Sequence, residues 1–92
     1  MTNLIGGLRE QVAGTAAAVI ASGAISPNGH GNLSLRVPGA AEMVYCTAPT
    51  LRGVTDANVA RIGLDGEVIE GEVPPINQAV IDMHTAIYAD FP

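Results

Sequence analysis

Apolar residues recur at steps of three and four at the start of the chain: Leu4, Ile5, Leu8, Val12, Ala16, Val19 and Ile20. This period predicts an amphipathic helix over residues 3 to about 22. Thr2 or Asn3 can cap its start, and Gly23 suits the C′ position, where the backbone turns left-handed. Gly6, Gly7 and Gly14 weaken the helix, so its first turn is expected to fray. Ala13, Gly14, Ala17, Ala18 and Ala21 make a small-residue face, expected to sit close against a sheet or a second helix.

The period then drops to two. Leu33, Leu35 and Val37 alternate with Ser34 and Arg36, the pattern of a half-buried strand. Pro38-Gly39 reads as a turn and residues 42–47 as the returning strand, which together predict an antiparallel hairpin. Thr47-Ala48-Pro49-Thr50 is a loop with two hydroxyls, and Thr55-Asp56-Ala57-Asn58 a short helical turn capped by Thr55. Residues 59–64 and 67–70 flank Asp65-Gly66, the strongest short hairpin signal in the chain. Pro74-Pro75 excludes regular structure immediately before Ile76. From there Ile76, Ala79, Val80, Met83, Ile87 and Tyr88 describe a second amphipathic helix, with Asn77 near its start. Helix, four short strands, helix: the order implies α/β or α+β layering.

Composition narrows this picture. With 92 residues the chain is one small domain at most, yet 48% of it is hydrophobic and only 14% charged. It is expected to bury more surface than it can cover alone, as an oligomer or as a piece of a larger domain. Expressed by itself it is expected to be oligomeric or prone to aggregate. Nine acidic residues against four Arg and no Lys give a net charge of −5, which excludes sustained nucleic-acid binding. The single cysteine, Cys46, allows no internal disulfide; it reads as a small apolar strand residue and fits a reducing compartment. No signal peptide is visible, and the run from Ala16 to Ala21 is too short to span a bilayer, so a soluble, cytoplasmic protein without a membrane partner is expected.

Candidate chemistry begins at the loop before the first strand. Pro27-Asn28-Gly29 reads as a turn, and Gly31 leaves the backbone open to close approach. Gly31-Asn32-Leu33-Ser34-Leu35-Arg36, preceded by an Ala-rich helix ending in Ala21-Ser22-Gly23-Ala24-Ile25-Ser26, resembles the opening of the class II aldolase/adducin family. Further matches follow in the family's order: Thr47, then Val54-Thr55-Asp56-Ala57-Asn58-Val59, then Asp65-Gly66-Glu67-Val68-Ile69-Glu70-Gly71, then Met83-His84-Thr85-Ala86-Ile87-Tyr88.

The resemblance implies an α/β fold with a helix-covered, largely antiparallel sheet, of which residues 1–92 form the N-terminal part of a single domain. It also implies a carbon–carbon lyase of aldolase or decarboxylase type, usually tetrameric, acting on a small anionic substrate. The divalent metal, usually zinc, is held in the family by a His-x-His motif that begins beyond the position of Pro92. His30 and His84 lack metal-ligand spacing, so no metal is expected on this chain alone. His30 reads as a loop residue and His84 as a helix-face histidine with a hydrogen-bonded ring.

Phosphate or carboxylate recognition in the family falls on Gly31-Asn32 and, by position, on Thr47-Ala48, where Ala replaces the family's Gly. These four are the expected substrate-binding residues; an amide, a hydroxyl and backbone N–H groups can hold an anion without any Lys. Where sugar-phosphate aldolases show Pro-Ser-Ser-Glu, this chain has Pro74-Pro75-Ile76-Asn77. The anchoring hydroxyls are absent, and the catalytic Glu falls on Asn77 or, aligned from His84, on Val80; neither is a general base. A non-phosphorylated hydroxy-acid or aromatic carboxylate therefore suits the chain as well as a sugar phosphate. The alternative is an adducin-like, non-catalytic interaction domain.

Overall fold

A computed structural model describes residues 4–25 and 28–91. The N-cap expected at Thr2 or Asn3, the Pro27 part of the first turn, and Pro92 lie outside the described residues. The chain runs helix α1 (Leu4–Ser22), strands β1 (Ser34–Arg36), β2 (Glu42–Cys46), β3 (Val59–Gly63) and β4 (Val68–Glu70), then helix α2 (Gln78–Asp90). The strands form one antiparallel meander in the order β1-β2-β3-β4. The α/β fold with a helix-covered antiparallel sheet is thus present.

Both central strands are buried on both faces, which is why Met43, Val44, Tyr45 and Cys46 are all buried in a row. Val44, Cys46 and Val59 face α1 and pack with Leu8, Val12 and Ala16; Leu33, Leu35 and Val37 join them, as their alternation predicts. Met43, Tyr45, Ala60 and Ile62 face the other way and pack with Ile81 of α2. Gly23 ends α1 in the left-handed region at φ +73°, as a C′ glycine does. The Asp65-Gly66 hairpin forms with Gly66 at φ +90° and the Asp65 carboxylate accepting from the Glu67 N–H at 2.9 Å. Two ion pairs tie the α1 side together: Arg9 with Glu70 across α1 and β4, and Arg61 with Glu42 across β3 and β2.

Three expectations are corrected. The small-residue face of α1 does not meet the sheet: Gly14, Ala17, Ala18 and Ala21 are exposed, and a Cβ on Gly14 would meet nothing within 4 Å. The longer Leu8 and Val12 fill the interface instead, because they bury more apolar area per contact. Second, Pro74-Pro75 does not exclude regular structure: Pro75 opens a 3₁₀ turn (Pro75–Asn77) whose first residue needs no N–H donor.

Third, α2 docks on only part of the face its apolar period marks, turned toward Ile81 and His84. Ile81 is buried, with Val80, His84 and Tyr88 partly so; Ile76, Met83 and Ile87 point outward at 85%, 51% and 51% exposure. The inward face is the one that complements the polar groups of the sheet. Truncating the two sides separates them: Ile81→Ala is expected to cost about 2–5 kcal/mol of unfolding free energy, and Met83→Ala within about 0.5 kcal/mol. Urea unfolding of both variants measures this, and equal losses would contradict the docking of α2.

Candidate functional site

Alternation along β1 sends Ser34 to the α2 side of the sheet, directly opposite Tyr45 of β2. On α2, His84 and Tyr88 stand one turn apart and face that pair. The Ser34 hydroxyl lies 2.7 Å from His84 Nδ1 and 2.8 Å from the Tyr88 hydroxyl. The other ring nitrogen of His84, Nε2, bonds Asn32 Oδ1. The Tyr45 and His84 rings meet edge to face, with centroids 5.5 Å apart. Four side chains, Asn32, His84, Ser34 and Tyr88, thus form one continuous polar seam between helix and sheet. His84 is the hydrogen-bonded helix histidine its position predicts.

The β1–β2 pairing extends one residue past the strands, because the Cys46 N–H donates to the Leu33 carbonyl at 2.9 Å. Continued by one step, this register sets Asn32 opposite Thr47. The two residues therefore stand together at one end of the hairpin. Both are already engaged: Asn32 through Oδ1 to His84, and Thr47 through its backbone N–H (2.7 Å) and its hydroxyl (3.1 Å), both donating to the Asn58 carbonyl. The Asn58 side chain in turn accepts from the Thr55 N–H at 3.0 Å, so the 3₁₀ turn (Asp56–Asn58) braces the Thr47 loop.

Gly31 is pressed against Leu51, whose Cδ1 a Cβ would approach to 3.3 Å, so its smallness serves loop packing. The turn before it is closed by Asn28, whose Oδ1 accepts from the His30 N–H at 3.2 Å. Ala48 is partly buried against the α1-side core, and no described residue other than glycine has positive φ. Alanine there in place of the family's glycine therefore carries no backbone strain.

Beside Thr47 opens a cleft of about 610 Å³, lined by Thr47, Ala57, Asn58, Gly71, Glu72, Val73 and Pro74. Gly71 makes its wall possible: at φ +99°, a Cβ would stand 3.2 Å from both Cα and Cβ of Ala60. Of the expected site residues, Thr47 lines this cleft, while Gly31, Asn32 and Ala48 do not. Glu72 is the titratable side chain of the lining, and sequence reasoning passed over it. The available signal was an acidic residue held between a glycine turn and two prolines.

Titration follows burial. The Tyr45 phenol is pushed up by desolvation and by the neighbouring Cys46, and burial likewise raises the Cys46 thiol. Burial lowers the His84 imidazole below its ordinary 6.5. The unfolded chain then takes up the His84 proton more readily, so stability is intact above about pH 6.5 and falls as pH drops below it. Urea midpoints between about pH 7.5 and pH 5 should decline, with the decline reduced in His84→Gln. An identical decline in that variant would assign the acid sensitivity elsewhere.

Residues 10–92 match the Class II Aldolase and Adducin N-terminal domain. Among solved structures the chain is similar to YgbL from Klebsiella pneumoniae, described as a candidate aldolase/epimerase/decarboxylase, with TM-score 0.77 and 24% identity. That alignment covers 96% of this chain and 41% of YgbL. It is also similar to an L-fuculose 1-phosphate aldolase, with TM-score 0.73 and 16% identity over 90% of this chain and 38% of the aldolase. The chain thus spans about two fifths of the length of these structures. No curated protein matches it significantly. With the match running from the middle of α1 to the end of α2, the chain belongs to the class II aldolase/adducin family.

Proposed function

We propose that this chain is the substrate-anchoring part of a carbon–carbon lyase of aldolase or decarboxylase type, acting on a small hydroxy-carbonyl or carboxylate substrate. One observation carries the reading: within the family-matched residues, the register sets Asn32 opposite Thr47 at one end of the hairpin. Gly31, Asn32, Thr47 and Ala48 are the proposed anchoring set. The Asn32 NH₂ makes no hydrogen bond to the described residues, and it is the donor readiest to meet an oxyanion. Thr47 must release the Asn58 carbonyl to help, an exchange costing on the order of 1 kcal/mol.

Glu72 across the cleft bears on substrate class. A carboxylate in the cleft that Thr47 lines repels a phosphate dianion more than a monoanionic carboxylate. Together with the loss of the family's two hydroxyls at Pro75 and Ile76, this supports a non-phosphorylated acid over a sugar phosphate. Glu72 is also the titratable group placed to exchange a proton with a molecule in the cleft.

The divalent metal general to the family does not fit these residues. Both His84 nitrogens are engaged, and no three His, Cys, Asp or Glu groups come together among the described residues. The structural neighbours carry aldolase names, which leaves the adducin-like interaction domain the less supported alternative. The outward apolar stripe of α2 supports a homo-oligomer, a tetramer by family resemblance. Among the described residues no helix is long and apolar enough to cross a membrane, and the lone buried Cys46 agrees with a cytoplasmic setting.

Titrating the 15N-labelled chain with glycolate and with phosphate tests the anchor. Amide shifts are expected at Gly31, Asn32, Thr47 and Ala48, with glycolate binding at least as tightly as phosphate. Shifts centred on Arg36 or Arg52 instead would contradict it. In the catalytically active protein, Asn32→Ala is expected to raise KM for the acid about tenfold. A changed Tm with unchanged kcat/KM would make Asn32 a purely structural residue.

A further inference from the structure

The hydrogen bonds of the polar seam can be assigned a direction. Asn32 Oδ1 is an acceptor only, so the hydrogen of its bond to His84 belongs to Nε2. In a neutral imidazole Nδ1 is then bare, and it accepts the Ser34 hydroxyl hydrogen at 2.7 Å. With that hydrogen used, Ser34 Oγ accepts from the Tyr88 phenol at 2.8 Å. Every hydrogen points the same way, from Tyr88 through Ser34 and His84 to Asn32.

The end of the chain is where this matters. An asparagine amide has nearly the same shape when turned over, but the turn exchanges two donors for an acceptor. With the carbonyl oxygen held by His84, the NH₂ is the part of the amide left to meet a ligand. Were the amide reversed, an acceptor oxygen would face the anion and repel it. The Tyr45 ring stands against His84 at a near-perpendicular angle, with centroids 5.5 Å apart, and packs against its imidazole.

We propose that Tyr88, Ser34 and His84 are positioning residues that lock the Asn32 amide in its donor orientation toward the carboxylate of a small acid substrate. This rests on the anchoring function proposed above. None of the three touches the substrate; they act through Asn32.

Long-range 1H–15N correlation on the histidine-labelled chain reads the tautomer directly. His84 is expected as the Nε2–H form, and Ser34→Ala is expected to shift it toward a mixture. An Nδ1–H tautomer in the unaltered chain would mean that the amide is reversed, which overturns the proposal. Glycolate titration then reads the consequence. His84→Phe keeps a ring against Tyr45 without a donor and should weaken glycolate about five- to tenfold, whereas His84→Gln, which restores an N–H near Nε2, should bind within about twofold of the unaltered chain. If His84→Phe does not fold, Ser34→Ala serves in its place, with a smaller loss expected. Unchanged affinity in the substituted chain overturns the positioning role. Glycolate that leaves Asn32 and Thr47 unperturbed in the unaltered chain overturns the anchoring function itself, and with it the purpose of the lock, even where the tautomer is Nε2–H.

Discussion

The sheet has two faces to cover and two helices to cover them, and its central strands are buried on both sides. That constraint decides the character of each interface. The core of the α1 side is aliphatic, which makes no directional demand, with the Arg9–Glu70 and Arg61–Glu42 ion pairs beside it. The α2 side is different, because Ser34 on β1 and the Tyr45 ring on β2 face it. Ser34 is half-buried there, and α2 brings partners that take the place of water at its hydroxyl, each such bond contributing on the order of 1 kcal/mol. His84 and Tyr88 are those partners, and they fix both the rotation and the position of α2.

From this follows the link between fold and function. The seam that docks α2 ends on Asn32, two positions before β1 and opposite Thr47. The 3₁₀ turn at Asp56–Asn58 braces Thr47 from the other side through the Asn58 carbonyl. Two loops that lie far apart in the chain are thereby held at one end of the sheet by hydrogen bonds that also stabilise the fold. In the proposed anchoring site Asn32 is already held through its Oδ1 before a ligand arrives, which reduces the entropy lost on binding, whereas Thr47 must first exchange its bond to the Asn58 carbonyl.

How much of this was legible in the sequence varied with the physics of each element. The α1 core face, the β1 alternation and the Asp65-Gly66 hairpin were readable because burial there is purely apolar or the turn chemistry is local. The docking face of α2 was only partly so. Periodicity marks Ile76, Ala79, Val80, Met83, Ile87 and Tyr88; of these the structure turns Val80 and Tyr88 inward, beside Ile81 and His84, and leaves Ile76, Met83 and Ile87 exposed. A single sequence does not show that Ser34 waits on the other side. The proposed anchoring residues were reached through family resemblance and not from periodicity, and the pairing of Asn32 with His84 spans 52 positions that no local pattern connects. Glu72 was missed for a related reason: its place beside Thr47 depends on the Gly71 bend against Ala60.

The central claim is that the amide held by the α2 seam meets the substrate's oxyanion. A crystal structure of the chain with bound glycolate tests it most directly. The account predicts a carboxylate oxygen within hydrogen-bonding distance of Asn32 Nδ2, with Asn32 Oδ1 still on His84 and the ligand reaching toward Thr47. Glycolate seated away from Asn32, or bound there only after Asn32 has turned off His84, would contradict it.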